Sequence, residues 1–599
     1  MTRTEHDDAL GDYTADSRIL TLTLMAGLIG VISALVALAL VRLIGLFTNL
    51  AYFHRVGGIL VPPADSLLGA WRVLIPAAGG IVVGLMARYG SDKIRGHGIP
   101  EAIEAILLGR SRMDAKVAVL KPLSSAIAIG TGGPFGAEGP IIVTGGAFGS
   151  LFGQAFHLSA AERKTLLVAG AAGGMSAIFA TPVAGVLIAV ELLLFEWKPR
   201  SFIPVACSSA VAGVLRVPLL GSGPIFPVVP HHALPATTLL IALGIGLTAG
   251  LASTGVTALV YGLEDAFRRL PLHWMWWPAI GGLLVGLGGL VTPRALGVGY
   301  DVINDLLDAR LVGAILVGLL FVKALIWAIA LSSGTSGGVL APLLIMGGAL
   351  GALGAESFHA SDVGLWAMIG MASLMGGTMQ LPLTSMVFVM ELTGDAGALP
   401  ALLVGTVASA GVTVLLMKRS ILTEKLARRG QHVMREYIVN PLHLLRVEDV
   451  MERDVPTVPA NLPVDALFHR LSNEDPVVGR RHAWPIVDEA GHLVGMITRG
   501  DLVRALESEA DGATALDAGS RNLVVTYPDE LLGQATTKML EHDIGRLPVV
   551  NRHDPTQLVG YLGRAGVMAA WLHAAQEEGQ RDTGWLGKQL GRLRERLNV

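Results

Sequence analysis

Residues 126–140, AIAIGTGGPFGAEGP, recur as AIALSSGTSGGVLAP at 328–342, each copy inside a long apolar stretch. The copies close on Pro140 and Pro342 and carry a lysine at the same distance upstream, Lys121 in LKPLSS and Lys323 in VKALIW. IIVTGGAFGS (141–150) then matches LLIMGGALGA (343–352). FATPVAGVLIAVELL (179–193) matches MQLPLTSMVFVMELT (379–393), aligning Pro182 with Pro382 and Glu191 with Glu391. Two related apolar halves, both broken by Gly and Pro at matching points, point to paired helix bundles with a transport site between them.

The chain has 599 residues, 52% of them hydrophobic, and a mean hydropathy of +0.58, which indicates an α-helical polytopic membrane protein with room for a soluble domain. Apolar sequence runs from about residue 19 to 417, after which charge returns. The expected organisation is a polar, acidic cytoplasmic tail (1–18), a membrane domain (19–430, halves about 19–220 and 236–430), a soluble α/β domain (444–572) and a charged tail (573–599). The net charge of −3 says little about partners, and the single Cys207 leaves no intrachain disulfide. Basic clusters at 88–95 (RYGSDKIR), 196–200 (EWKPR) and 418–429 (KRSILTEKLARR) are expected in the cytosol, placing a multi-pass protein in the inner (plasma) membrane with both termini cytoplasmic.

Segments 19–49, 236–263 and 311–333 are long enough for plain spans, which need about 20 apolar residues. Others open on proline: GHGIPEAIEAIL (96–107), AEGPIIVTGGAFGSLFG (137–153) and LAPLLIMGGALGALG (340–354). Proline in the first helical turn sacrifices no intrahelical hydrogen bond. These segments therefore read as half-helices starting inside the membrane, where irregular backbone survives only when buried in protein or lining a wet cavity. Gly145, Gly146 and Gly149, matched by Gly347, Gly348 and Gly351, predict close helix packing.

A helix start attracts an anion by about 0.3–2 kcal/mol, whereas desolvating an ion costs several kcal/mol. One start is not enough; several converging starts near Pro100, Pro140 and Pro342 suit an anion. A cation site would want carbonyls or carboxylate rings. Glu138 is the one carboxylate within the Gly-Pro breaks, and an ionisable group there is functional by default. Its charge competes with an anion for the same amides, so its protonation opens the route. Its counterpart is the apolar Leu340. Glu101 and Glu104 read as structural acids in a first turn, and Glu191 and Glu391 as interfacial acids at C-terminal, cytosolic helix ends. Lys121 and Lys323 either snorkel to an interface or set a positive potential for anions.

The soluble part is itself duplicated, with units from VEDVMERDVPTV (447) to 506 and from LDAGSRN (516) to 572, each carrying strand, turn, strand and helix.

Gly96-His97-Gly98-Ile99-Pro100, Gly136-Ala137-Glu138-Gly139-Pro140 and Gly338-Val339-Leu340-Ala341-Pro342 match three ordered motifs. With the inverted repeat, they make residues 19–430 resemble the CLC family of chloride channels and proton–chloride exchangers. The resemblance implies a homodimer with one pore per subunit, gated by Glu138. It also implies an anion site drawn from His97, Gly98, Ile99, Val339, Leu340 and Leu422, with Val339 and Leu340 contributing backbone N–H groups. His97 replaces a serine, and Leu422 falls where the family has a tyrosine. The inner glutamate that passes protons in many exchangers falls at Leu192, beside Glu191, which becomes the proton-path candidate. A channel-like or weakly proton-coupled conductor is therefore expected, with a strictly coupled exchanger, or a carrier of bicarbonate or nitrate, as alternatives.

The soluble duplication resembles a CBS pair. Thr498 and Asp501 in GMITRGD (495–501) fit its ribose-binding pattern, while GYLGRAG (560–566) lacks both groups. No cofactor is required by this reading; an adenine nucleotide is an optional ligand of the CBS pair. The expected partners are chloride or another small anion, protons, membrane lipid and a second copy of the chain, with no nucleic acid. The chain does not read as an enzyme; an intramembrane metalloprotease, some of which carry CBS pairs, would need zinc ligands such as HExxH, and no histidine here is followed by glutamate. A CBS-containing membrane sensor remains the alternative from a different class.

Overall fold

The computed structural model describes residues 17–194, 196–232, 234–360, 362–431, 445–472, 482–507, 512–579 and 581–582. Residues 1–16 of the expected N-terminal tail and 583–599 of the C-terminal tail lie outside the described residues. The described residues divide into a membrane unit ending at Gly430, which residues 581–582 join, and a C-terminal unit within 431–579.

The first half of the membrane unit consists of α1 (Arg18–Phe53), α2 (Leu74–Tyr89), α3 (Ile99–Leu107), α4 (Ala115–Gly130), α5 (Glu138–Ala155), α6 (Ala160–Phe179), α7 (Pro182–Ile188) and α8 (Pro199–Leu220). A π-helical turn, Ala189–Leu194, extends α7. The second half repeats the order as α9 (Ala236–Arg268), α10 (Trp277–Val291), α11 (Tyr300–Leu307), α12 (Ala314–Ser332), α13 (Leu340–Ser357), α14 (Val363–Met379), α15 (Pro382–Thr393) and α16 (Leu399–Leu416), with α17 (Glu424–Arg428) after it. Among the described residues, eight helices are long and apolar enough to cross a membrane. The three proline-opened segments are short or deeply buried helices that begin where the breaks predict.

The matched glycines bring helices into backbone contact. A Cβ on Gly145 would lie 2.3 Å from the Gly170 carbonyl oxygen, and one on Gly149 would lie 2.2 Å from that of Leu166, so α5 lies directly on α6. Gly347 and Gly351 do the same against Gly370 and Trp366, packing α13 on α14.

Glu191 and Glu391 show how the halves are related. Glu191, late in the α7 segment, accepts the N–H (2.8 Å) and hydroxyl (2.5 Å) of Thr384 at the start of α15. Glu391, late in α15, accepts the N–H groups of Val183 (3.0 Å) and Ala184 (2.8 Å) at the start of α7. The helices therefore run antiparallel, each acid capping the other's free N-terminal amides. This corrects the expectation that both acids sit at cytosolic ends: an inverted repeat puts them at opposite ends of the pair.

The C-terminal unit contains α18 (Val447–Val450), β1 (Val458–Pro459), α19 (Val464–Ser472), β2 (Ala483–Val487), β3 (Leu493–Thr498) and α20 (Arg499–Glu507). The second module has α21 (Ala515–Ala518), α22 (Leu532–Glu541), β4 (Arg546–Val550), β5 (Leu558–Gly563) and α23 (Arg564–Gly579). β1 pairs parallel to β2, β2 antiparallel to β3, and β4 antiparallel to β5. The modules exchange their leading segments. Val447 packs into the second core with Leu532, Leu547 and Leu562, and Ala515 packs into the first with Trp484 and Ile497. The boundaries read from sequence at 447 and 516 thus follow chain order, not packing.

Candidate functional site

The two repeated lysines position the loops that open the short helices. Lys121 is fully buried, and its Nζ donates to the carbonyls of Ile94 (2.9 Å) and Gly96 (2.6 Å), just before α3. Lys323, equally buried, donates to the carbonyls of Ala295 (2.8 Å) and Gly297 (3.1 Å), just before α11. Neither lysine snorkels. Each loop then turns through a glycine in the left-handed region, Gly98 (φ 84°) and Gly299 (φ 77°), before its helix starts. A Cβ on Gly98 would lie 2.9 Å from Lys121 Cε and 2.6 Å from Val143 Cγ2, so only glycine fits the turn.

The helix starts converge. A Cβ on Gly139 would lie 2.5 Å from the His97 carbonyl oxygen and 3.1 Å from Gly338 Cα, bringing the openings of α3, α5 and α13 into contact. Gly338 donates its N–H to the Gly136 carbonyl (3.0 Å), and these two residues form an antiparallel bridge between the repeats. Ser336 reaches Ser125 (2.7 Å) and Ser124 (3.2 Å), pinning the second break to α4.

Glu138 lies in this junction, fully buried. Its Oε1 accepts the N–H of Leu340 at the opening of α13. Oε2 has no hydrogen-bond partner among the described residues. Both bridging glycines shape the seat: a Cβ on Gly136 would fall 1.9 Å from Oε2, and one on Gly338 would fall 2.1 Å from Oε1. A carboxylate thus accepts a peptide N–H at a helix start between two glycines, an environment that suits an anion.

His97 is buried, with Nδ1 unpartnered among the described residues. Ile99, wholly buried, starts α3. His97 lines a cavity of about 310 Å³ together with Arg95, Glu101, Tyr261, Trp274 and Lys425. Arg95 lies over the Trp274 ring, 4.4 Å from its centroid. Glu101 pairs with Lys425 (2.9 Å) and Arg429 (3.1 Å), and Glu104 with Arg429 (2.6 Å), so both acids tie α3 to α17. Leu422 is fully buried just before α17. The nearby hydroxyl is Tyr261 of α9, which donates to the Ile421 carbonyl (2.6 Å). Leu192 is fully buried, and Glu191 is engaged at the start of α15.

In the C-terminal unit, Asp501 accepts the N–H (2.8 Å) and hydroxyl (2.7 Å) of Thr498, while its own N–H donates to the Thr498 hydroxyl (3.2 Å). The two candidate nucleotide contacts thus form a reciprocal cap on α20.

Sequence reasoning missed the partner of the His97 loop. Gly297-Val298-Gly299 repeats Gly96-His97-Gly98, lying 26 residues before Lys323 where the first loop lies 25 before Lys121, and the recurring Gly-x-Gly was the available signal. It also missed Arg95 and the Gly136–Gly338 bridge.

The Voltage gated chloride channel family model matches residues 78–414, and the CBS domain model matches 447–508 and 516–573. The voltage-gated ClC-type chloride channel ClcB of Escherichia coli O81 (strain ED1a) is 30% identical over 422 residues, covering 68% of this chain and 99% of the relative. Among solved structures, a slow cyanobacterial Cl-/H+ antiporter superposes with a TM-score of 0.62 at 21% identity, covering 69% of this chain and 99% of its own. A eukaryotic CLC transporter superposes with a TM-score of 0.60 at 19% identity, covering 91% and 98%. At those identities the structural likeness is one of fold.

Proposed function

Since the chain belongs to the CLC family of chloride channels and transporters, and is an integral membrane protein of anion transport, we propose that Glu138 is the gate of a route for a small monovalent anion, chloride first. The observation that carries this reading is the seat of Glu138, where a buried carboxylate takes the Leu340 N–H between two glycines. An anion arriving there needs the same donors. Protonating Glu138 removes its claim on them, and swinging it aside frees the space. Val339 and Leu340 then supply N–H groups to the anion. His97, buried at the inner cavity with an unpartnered ring nitrogen, is the side-chain donor in place of the family's serine.

The conductor is channel-like or weakly proton-coupled. Leu192 stands where coupled exchangers carry an acid, and Glu191 is committed to Thr384. The route exists once in each subunit of a homodimer, with the basic clusters and both termini in the cytoplasm. Thr498 and Asp501 offer an adenine nucleotide one polar edge at the first CBS module, a binding that calorimetry with the purified protein tests.

The deciding experiment is anion efflux from liposomes. Glu138→Gln should raise efflux at neutral pH and flatten its pH dependence; an unchanged rate and pH profile rejects the gate. Reversal potentials under combined anion and pH gradients distinguish the weakly coupled conductor from a strict exchanger.

A further inference from the structure

The loop between α8 and α9 is fastened by a histidine held between two aspartates. The basic cluster at 196–200 precedes α8, whose 22 residues extend about 33 Å at 1.5 Å per residue. Residues 221–232 therefore lie on the face opposite that cluster. There Phe226 donates its N–H to the Leu392 carbonyl (3.0 Å) and Val228 to that of Thr393 (3.2 Å), so the loop runs along the end of α15. His231 closes the run. Its Nδ1 lies 2.6 Å from Asp395 Oδ2 and its Nε2 2.7 Å from Asp362 Oδ2. Its backbone N–H donates to Asp395 Oδ1 (3.0 Å). Asp395 is fully buried in the turn between α15 and α16, and Asp362 caps α14 through the Leu365 N–H (3.0 Å). A Cβ on Gly397 would lie 1.6 Å from the His231 carbonyl oxygen, so the loop backbone rests directly on that turn.

Each ring nitrogen faces a carboxylate oxygen, and a ring that donates to both is the imidazolium form. The charged groups facing the ring are Asp362 at the start of α14 and Asp395 beyond α15; His232, next along the loop, is exposed. Burial favours the neutral ring, but the hydrogen bonds and charges of both aspartates outweigh it and raise the pKa above its ordinary 6.5. The protonated contact is complete below about pH 6.5 and is lost as pH rises through the folded-state value.

The loop also reaches toward the gate. Phe226 is buried, with its ring centroid 5.7 Å from that of Tyr300, the first residue of α11. Tyr300 in turn packs edge-on to Phe179 (6.4 Å), and its buried hydroxyl has no hydrogen-bond partner among the described residues.

We propose that His231, Asp362 and Asp395 form a proton-binding latch on the face opposite the basic clusters. Protonated, it holds residues 226–231 on α15 and Phe226 on Tyr300, which keeps Glu138 seated; deprotonated, it frees the loop and promotes anion flux. The functional end of this inference rests on Glu138 being the gate, whereas the latch itself does not. The two protons act in opposite directions: protonating Glu138 opens the route, and protonating His231 restrains it.

The test follows amide hydrogen exchange of the full-length protein over residues 222–232, corrected for intrinsic rates, at about pH 6 and about pH 9. Wild type should lose protection about tenfold or more at the higher pH, and His231→Gln should be unprotected at both. Asp362→Asn, which keeps an α14 cap, should weaken protection at pH 6 and serves if His231→Gln misfolds. In liposomes, alkalinising the latch face should lower efflux through His231→Gln, in which only the Glu138 proton acts, whereas release of the latch should offset that fall in wild type. Identical exchange in wild type and both variants overturns the latch. Efflux that changes by the same factor in wild type and His231→Gln overturns its control of transport. In Glu138→Ala, exchange should still depend on pH while the efflux response vanishes. If Glu138→Ala transports like wild type, the gate is misassigned, and the exchange data still decide the latch.

Discussion

Adding one methyl group at Gly136 should open the route without altering the chemistry of Glu138. A Cβ there falls 1.9 Å from Glu138 Oε2, 2.8 Å from its Cδ and 2.9 Å from Ala341 Cβ. Gly136 is not among the residues with positive φ, so Gly136→Ala suits the backbone. Separations this short cannot persist, and the group free to move is the carboxylate at the end of its side chain. Its displacement breaks the hydrogen bond from the Leu340 N–H. A hydrogen bond to a charged group contributes about 1.5–3 kcal/mol, which changes the ratio of seated to displaced carboxylate about 10- to 150-fold. Anion efflux from liposomes at neutral pH should therefore approach that of Glu138→Ala, with a flattened pH dependence. In a Glu138→Ala background the methyl has nothing to displace, so the double variant should match Glu138→Ala alone. A Gly136→Ala protein with the wild-type pH profile, or one whose extra flux persists in that background, would refute the proposed seat.

Lys121→Met strands the Ile94 carbonyl and leaves that of Gly96 only the Gly337 N–H (3.4 Å), and Lys323→Met removes the ammonium from the Ala295 and Gly297 carbonyls, an expected loss of about 2–5 kcal/mol. Thermal unfolding in detergent should show a lowered midpoint for both, and an unchanged midpoint would mean the loops hold without their ammonium groups. Glu191→Gln weakens the cap on α15 by about 1 kcal/mol. It should lower thermal stability while leaving proton flux under an anion gradient unaltered; loss of that flux would return Glu191 to the proton path.

The membrane duplication was legible because Gly, Pro and Lys recur at matched spacing, and each does one physical job: a break, a helix start, a buried donor. Glu138 was legible as the sole acid in those breaks. The loop at Gly297-Val298-Gly299 was not, since its glycines alone match while Val298 replaces His97 and Asp301 replaces Pro100. Mutual capping by Glu191 and Glu391 depends on one helix being inverted relative to the other, which spacing along a chain does not encode. The exchanged leading segments of the C-terminal modules escaped for a related reason: a local strand–turn–strand–helix pattern carries no record of which distant core receives Val447 or Ala515. His231 sits in the connection between the halves and Asp362 and Asp395 in two connections of the second half, so they meet only once those helices have packed.

The reciprocal caps at Glu191 and Glu391 bear on how such a chain arises. A half-length ancestor holding only the first repeat would own a carboxylate with nothing to finish and a helix start with nothing to finish it. Two copies inserted in opposite orientations would satisfy both at once. Joining the two copies in one chain keeps both caps within a single molecule, Glu191 on Thr384 and Glu391 on Val183 and Ala184.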